Sequence, residues 1–234
     1  MNNHDCFFGK SPWTWKVVIK LLILVLVFVP IFIEFLLMGY LTEGLQNDLY
    51  SGILTGFIMS IIFMLGLYFL AIKPEKLSWK EVGLRRFSPN YWKSICAWTF
   101  AIIAIAFVMA VVMELFLGIE SENSKTESLQ SRMTALNFLI GFVSAAIISP
   151  IYEEIFYRGF LYRFLRSKYG IAISMFASSF IFMIVHIPTY NTLLLNFVSG
   201  LIFAWTYEKT GSIVPAMIIH GITNGIAIIL VALG

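Results

Sequence analysis

The chain has 234 residues, of which 59% are hydrophobic and 12% charged, with mean hydropathy +0.87 and net charge +3. Soluble domains carry about 25% charged residues, so this composition excludes a soluble globule, a disordered chain and a small disulfide-stapled secreted protein. It leaves an all-α polytopic transmembrane bundle; the short alternating segments of a β-barrel are absent, and 16 basic against 13 acidic residues give no sign of a nucleic-acid partner.

In chain order, Lys10, Lys16 and Lys20 precede an apolar run at 17–41. That run is longer than the ~7–15 residues of a signal-peptide core and has no small-residue cleavage site after it, so it reads as an uncleaved first span. Further apolar runs lie at 51–72, 94–118, 135–157, 171–187, 191–207 and 212–233, about seven spans with six to eight as the range. The expected division is 1–134 for N-terminal spans and an amphipathic loop, and 135–234 for a core. Cys6 and Cys96 sit in dissimilar settings and fit no metal pattern, so they read as unrelated thiols.

The loops set the orientation. Segments 73–93 and 158–168 are basic, whereas 42–50 and 119–134 are acidic overall. The positive-inside rule then puts the N-terminus in the cytoplasm of a cell-membrane protein and, after seven spans, the C-terminus outside. Every Lys and Arg except Lys125 and Arg132 falls inside. In 73–93, Trp79, Val82, Leu84, Phe87, Tyr91 and Trp92 alternate with the charges, which predicts an amphipathic piece lying on the membrane surface.

A charge in a bilayer costs on the order of 2.5–3.5 kcal/mol, so polar residues within spans need a partner or a purpose. Glu34 and Glu114 lie near helix ends and read as wet carboxylates. Glu153 and Glu154 are adjacent, with Arg158 four residues after Glu154, the spacing and order of a helical ion pair. Glu153 points about 100° away and lacks that partner. The pattern supplies one neutralised and one free carboxylate, and a free buried carboxylate suits a general base. His186 ends the fifth run before Pro188. His220 and Asn224, four apart in the last run, face one way. Gly221 and Gly225 offer a small-xxx-small face for close helix approach. His4, in the polar arm, is set aside. Two histidines, an asparagine and a free glutamate in one bundle would make a hydrolytic centre, with a base for water and donors for an oxyanion.

These residues resemble the signature of the CAAX protease and bacteriocin-processing (CPBP, or Abi) family: Glu-Glu-x-x-x-Arg at Glu153–Arg158, Phe-x-x-x-His at Phe182–His186, and His-x-x-x-Asn at His220–Asn224. The resemblance covers 135–234 closely. It implies an all-helical intramembrane endopeptidase acting on a hydrophobic or lipidated peptide, in peptide maturation, pheromone processing or bacteriocin self-immunity. It implies that Glu153 activates water, that His186 holds and polarises that water, and that His220 and Asn224 stabilise the oxyanion. Glu154 and Arg158 would brace the site or meet substrate. Two chemistries stay open: a metal-free one without cofactor, favoured by the lack of a His-Glu-x-x-His motif, and one with zinc or another divalent metal on Glu153, His186 and His220. The competing reading is a non-catalytic membrane scaffold or regulator binding another membrane protein. Bringing Glu153 to the depth of His186 needs either a fourth helix that runs on to about Arg166 or a fifth segment that is tilted or starts above the interface; the expectation is one long fourth helix carrying Arg158 inside the protein.

Overall fold

The computed structural model describes residues 7–118 and 124–233, which are helical with no strand among them. His4, Cys6, Glu120 and Glu122 lie outside the described residues. The helices are α1 (Trp15–Leu45), α2 (Asp48–Ile72), α3 (Trp92–Leu117), α4 (Ser124–Gln130), α5 (135–169), α6 (171–184), α7 (Leu193–Thr210) and α8 (Val214–Leu233).

Local sequence explains the helix boundaries. Asn47 caps α2 by accepting the Tyr50 N–H, and Thr134 caps α5 by accepting the Asn137 N–H. Both side chains satisfy amide donors that a helix start leaves without partners. The two caps are joined, since the Tyr50 hydroxyl donates to Asn137 Oδ1 at 2.9 Å. α1 tolerates Pro30 within a stretch of widened turns, Leu24–Leu37, that absorbs the missing N–H. The chain reverses between α5 and α6 at Gly170, whose φ of 78° and ψ of −177° are open to glycine but strained for a residue with a Cβ.

Among the described residues, five helical stretches are long and apolar enough to cross a membrane: Trp15–Leu45, Asp48–Ile72, Pro89–Phe116, Ala135–Ile184 and Val214–Leu233. The long stretch Ala135–Ile184 folds back at Gly170 into α5 and α6, so the runs expected at 135–157 and 171–187 stand on two helices. α7, carrying Glu208 and Lys209, is not among the five. α5 continues past Arg166 with Arg158 fully buried, the first of the two arrangements that the depth argument allowed. Counted from Gly170, Glu153 lies about 25 Å up α5 and His186 about 24 Å along α6 and its terminal turn, so the two reach similar depth.

α5 is the central element. α1 and α2 pack on it through a core that includes Leu21, Val25, Phe63, Leu67, Phe156 and Phe160. α3, α7 and α8 share a second apolar cluster with Ile95, Ile102, Ile202 and Ile219. Large apolar side chains such as Phe35, Phe100, Phe107 and Phe116 point outward, as lipid-facing positions should.

The segment 73–93 does not simply lie on a surface. Val82 is fully buried, and a side chain at Gly159 of α5 would collide with the Val82 carbonyl oxygen. The Gly83 carbonyl accepts the Ile213 N–H at 3.0 Å, and the Arg85 carbonyl accepts the Ser212 hydroxyl at 2.6 Å. The segment is therefore wedged beneath the α7–α8 turn, because its unpaired backbone groups find partners there and Val82 finds a small neighbour. The start of the described chain locks it further. Phe8 is fully buried against Tyr162 and Tyr207. The Phe7 ring lies 3.8 Å from the Arg85 guanidinium and 3.9 Å from that of Arg163, and Arg163 pairs with Glu81 at 2.8 Å.

Candidate active site

Glu154 and Arg158 stand one turn apart on α5, in a stretch of widened turns where the Arg163 N–H reaches back five residues to the Arg158 carbonyl. Both side chains are completely buried, and Arg158 Nη1 donates to Glu154 Oε1 at 2.9 Å. A buried charge pair needs good geometry and further partners to offset its lost hydration. Here the further partner is His220, whose Nδ1 lies 3.0 Å from the same Glu154 oxygen. The guanidinium also lies over two aromatic faces, 4.3 Å from the Phe182 centroid and 5.0 Å from that of Phe203. Such contacts favour a desolvated cation.

Glu153 is arranged differently. It is buried, and its Oε2 has no hydrogen-bond partner among the described residues. That oxygen faces His220 Nε2 at 3.8 Å, too long for a direct hydrogen bond. The two adjacent carboxylates thus have separate environments: Oε1 of Glu154 is held by a cation and an imidazole, whereas Oε2 of Glu153 makes no hydrogen bond among the described residues. The same imidazole stands between them.

His220 projects from α8, which packs closely on α5. A Cβ at Gly221 would sit 2.6 Å from the Ala146 carbonyl oxygen, and one at Gly225 would meet the Phe142 ring at 3.0 Å. The small-residue face thus makes the expected close crossing. One turn beyond His220, Asn224 Nδ2 donates to the Ala145 carbonyl at 3.0 Å. This uses one of its two amide N–H donors.

His186 lies in the turn after α6 and is half buried. Its Nδ1 is 2.7 Å from the Phe182 carbonyl oxygen. The Phe182 ring contacts both histidines, with centroids 4.7 Å from His186 and 5.9 Å from His220. His186 therefore joins the cluster through a shared phenyl ring.

The region that holds all of these side chains also matches a known family. Residues 135–226 match Type II CAAX prenyl endopeptidase Rce1-like. The matched segment runs from the first turn of α5 to just past Asn224 and contains each of the six candidate residues. The earlier resemblance to CAAX proteases holds, and the match implies an intramembrane endopeptidase. No curated protein and no solved structure matches the chain.

Within this CAAX-protease-like core, the candidate metal donors Glu153, His186 and His220 can be compared directly. Among the described residues no three His, Cys, Asp or Glu side chains gather as a metal-binding group. Glu153, His186 and His220 are not drawn together as ligands, and His186 Nδ1 is engaged by a backbone carbonyl.

Several residues around the cluster were not singled out from sequence. Phe203 stacks on His220 with centroids 4.8 Å apart and planes 20° from parallel. A Cβ at Gly200 would meet Ser179 Cβ at 2.9 Å and Arg158 Nη2 at 3.2 Å. Nearer the Gly170 end, Glu208 accepts the Tyr162 hydroxyl at 2.5 Å and is gripped by Arg166 through Nε and Nη2. The available signal was the spacing Gly200–Phe203–Tyr207 on α7, which marks one helix face. The apolar residues around the rest of α7 hide that face, because core and lipid positions use the same residue types.

Proposed function

We propose that the chain is an intramembrane endopeptidase in which Glu153 is the general base for water, with a hydrophobic or lipidated peptide as substrate. The observation that carries this reading is the unequal treatment of the two carboxylates. Glu154 is engaged by Arg158 and His220, whereas Glu153 Oε2 is unengaged and faces His220 Nε2. A base needs an oxygen able to take a proton, and Oε2 of Glu153, turned toward His220 and not held by Arg158, is the candidate.

In this reading a water between Glu153 and the histidines loses its proton to Glu153 as its oxygen attacks the peptide carbonyl carbon. A neutral His186 that donates Nδ1–H to the Phe182 carbonyl presents Nε2 as an acceptor, suited to orienting the water. His220 donates Nδ1–H to Glu154; as an imidazolium it also donates Nε2–H to the developing oxyanion. The second amide N–H of Asn224 serves as a further donor for that oxygen. Collapse of the tetrahedral intermediate breaks the C–N bond, and Glu153 returns the proton to the leaving amine. Glu154 and Arg158 hold His220 in its working orientation. The site-bearing segment's match to an endopeptidase family supports this assignment over a scaffold role.

The test is peptide cleavage by purified full-length protein in lipid, with two substrate arms: peptides ending in a prenylated cysteine motif and unmodified apolar peptides. Wild type should cleave at least one arm, and Glu153→Ala and His220→Ala should cleave neither. Equal cleavage by all three proteins would overturn the assignment.

A further inference from the structure

His220 has to satisfy two directions at once. Its Nδ1 meets Glu154 at 3.0 Å, while its Nε2 faces Glu153 at 3.8 Å. A single hydrogen bond fixes one direction and leaves the ring free to turn about it. The torsion that sets an imidazole plane is intrinsically broad. Something other than Glu154 must define that plane.

The neighbouring aromatic rings supply the constraint. Phe203 of α7 lies nearly parallel to the imidazole, 4.8 Å away and 20° from coplanar orientation. Phe182 of α6 meets it edge-on at 88°, 5.9 Å away. Of the two, only Phe203 presents its face to the imidazole face, so Phe203 limits tilting of the ring and Phe182 limits its travel. The Phe203 ring also lies 5.0 Å from the Arg158 guanidinium, whose Nη1 shares the Glu154 oxygen with His220. One phenyl group thus contacts both donors that converge on one carboxylate. Phe203 itself is almost wholly buried, and Gly200 one turn earlier lets α7 approach α6 and Arg158 closely enough to place it.

We infer that Phe203 is a positioning residue of the site, setting the plane of the His220 imidazole so that Nδ1 engages Glu154 while Nε2 faces Glu153. It touches neither water nor substrate in this role and acts through His220. The inference deepens the proposed endopeptidase mechanism, and its kinetic consequence rests on that mechanism. Its geometric consequence does not.

The experiment uses full-length protein labelled with 15N-histidine in lipid nanodiscs, with Phe203→Leu and Phe203→Tyr beside wild type. The His220 nitrogens are assigned by substituting each histidine in turn. Tyr keeps the ring and Leu keeps apolar volume without it. The expected result is a hydrogen-bonded Nδ1 signal in wild type and Phe203→Tyr that is lost or shifted in Phe203→Leu. Peptide cleavage should show kcat reduced at least tenfold in Phe203→Leu, KM within twofold, and kcat largely retained in Phe203→Tyr. An unchanged His220 spectrum in Phe203→Leu would overturn the inference. So would kcat losses in Leu and Tyr that follow their melting temperatures alone. If wild type cleaves neither peptide class while the spectra respond as expected, the endopeptidase reading falls and the positioning of His220 stands.

Discussion

His220 Nδ1 lies 3.0 Å from Glu154 Oε1, an oxygen that also accepts Arg158 Nη1 at 2.9 Å. This carboxylate ties α8 to α5 in a buried setting, and it makes Glu154 a structural partner where Glu153, its neighbour, is not.

Replacing Glu154 should therefore damage the fold itself. Glu154→Ala strands the Arg158 charge in a fully buried position, and removing one partner of a buried pair costs on the order of 3–5 kcal/mol. Thermal unfolding in detergent should show a clearly lowered midpoint.

Glu153→Gln should behave in the opposite way. The side chain keeps its shape and gives up no hydrogen bond made by Oε2. Under the proposed mechanism, cleavage should fall by about 10²–10⁴-fold, with the unfolding midpoint nearly unchanged. Comparing rate with midpoint for these two adjacent glutamates separates base from brace.

The α5–α8 crossing should be intolerant at Gly221 and more forgiving at Gly225. An alanine at 221 drives a methyl group toward the Ala146 carbonyl, a backbone atom that cannot swing aside. At 225 the obstacle is the Phe142 ring, which can shift. Gly221→Ala should lose the Asn224–Ala145 hydrogen bond and most activity, and Gly225→Ala should lose less. Cleavage rates on a common peptide decide this.

The wedged segment 73–93 should depend on the start of the chain. Phe8→Ala removes a fully buried ring, a change that typically costs about 3–5 kcal/mol in a packed core. Limited proteolysis should then cut faster within 73–93 than in wild type. An unaltered cleavage pattern would show that Glu81, Arg163 and the α7–α8 turn hold the segment without Phe8.

Chelation gives an independent check on the chemistry. The candidate zinc donors are not gathered as a ligand set, so cleavage should persist after prolonged treatment with a strong chelator. Loss of cleavage restored by added zinc would require the donors to rearrange.

Much of this was legible in the sequence. The apolar composition dictated a membrane bundle. The four-residue spacing between Glu154 and Arg158 dictated an ion pair, since helical periodicity puts such residues on one face. Gly221 and Gly225 announced a close crossing for the same reason. What periodicity could not give was depth. The run at 135–157 looked like a complete span, yet the helix continues to Gly170, because the polar residues 158–168 find partners such as Glu154, Glu81 and Glu208 that composition alone does not display.

The segment 73–93 shows the same limit from the other side. Its alternation of aromatic and charged residues fits a membrane surface and a protein groove equally well. The small neighbour at Gly159 and the free amide of Ile213 decided for the groove. Sequence by itself determined which residues are too polar for lipid and how they are spaced along each helix, because those follow from local geometry. Only the tertiary structure decided that Glu154 is the carboxylate that bonds His220, that Glu153 Oε2 faces the other imidazole nitrogen at 3.8 Å, and that Phe203 stacks on His220. Those outcomes depend on how α5, α7 and α8 cross, which no single helix encodes.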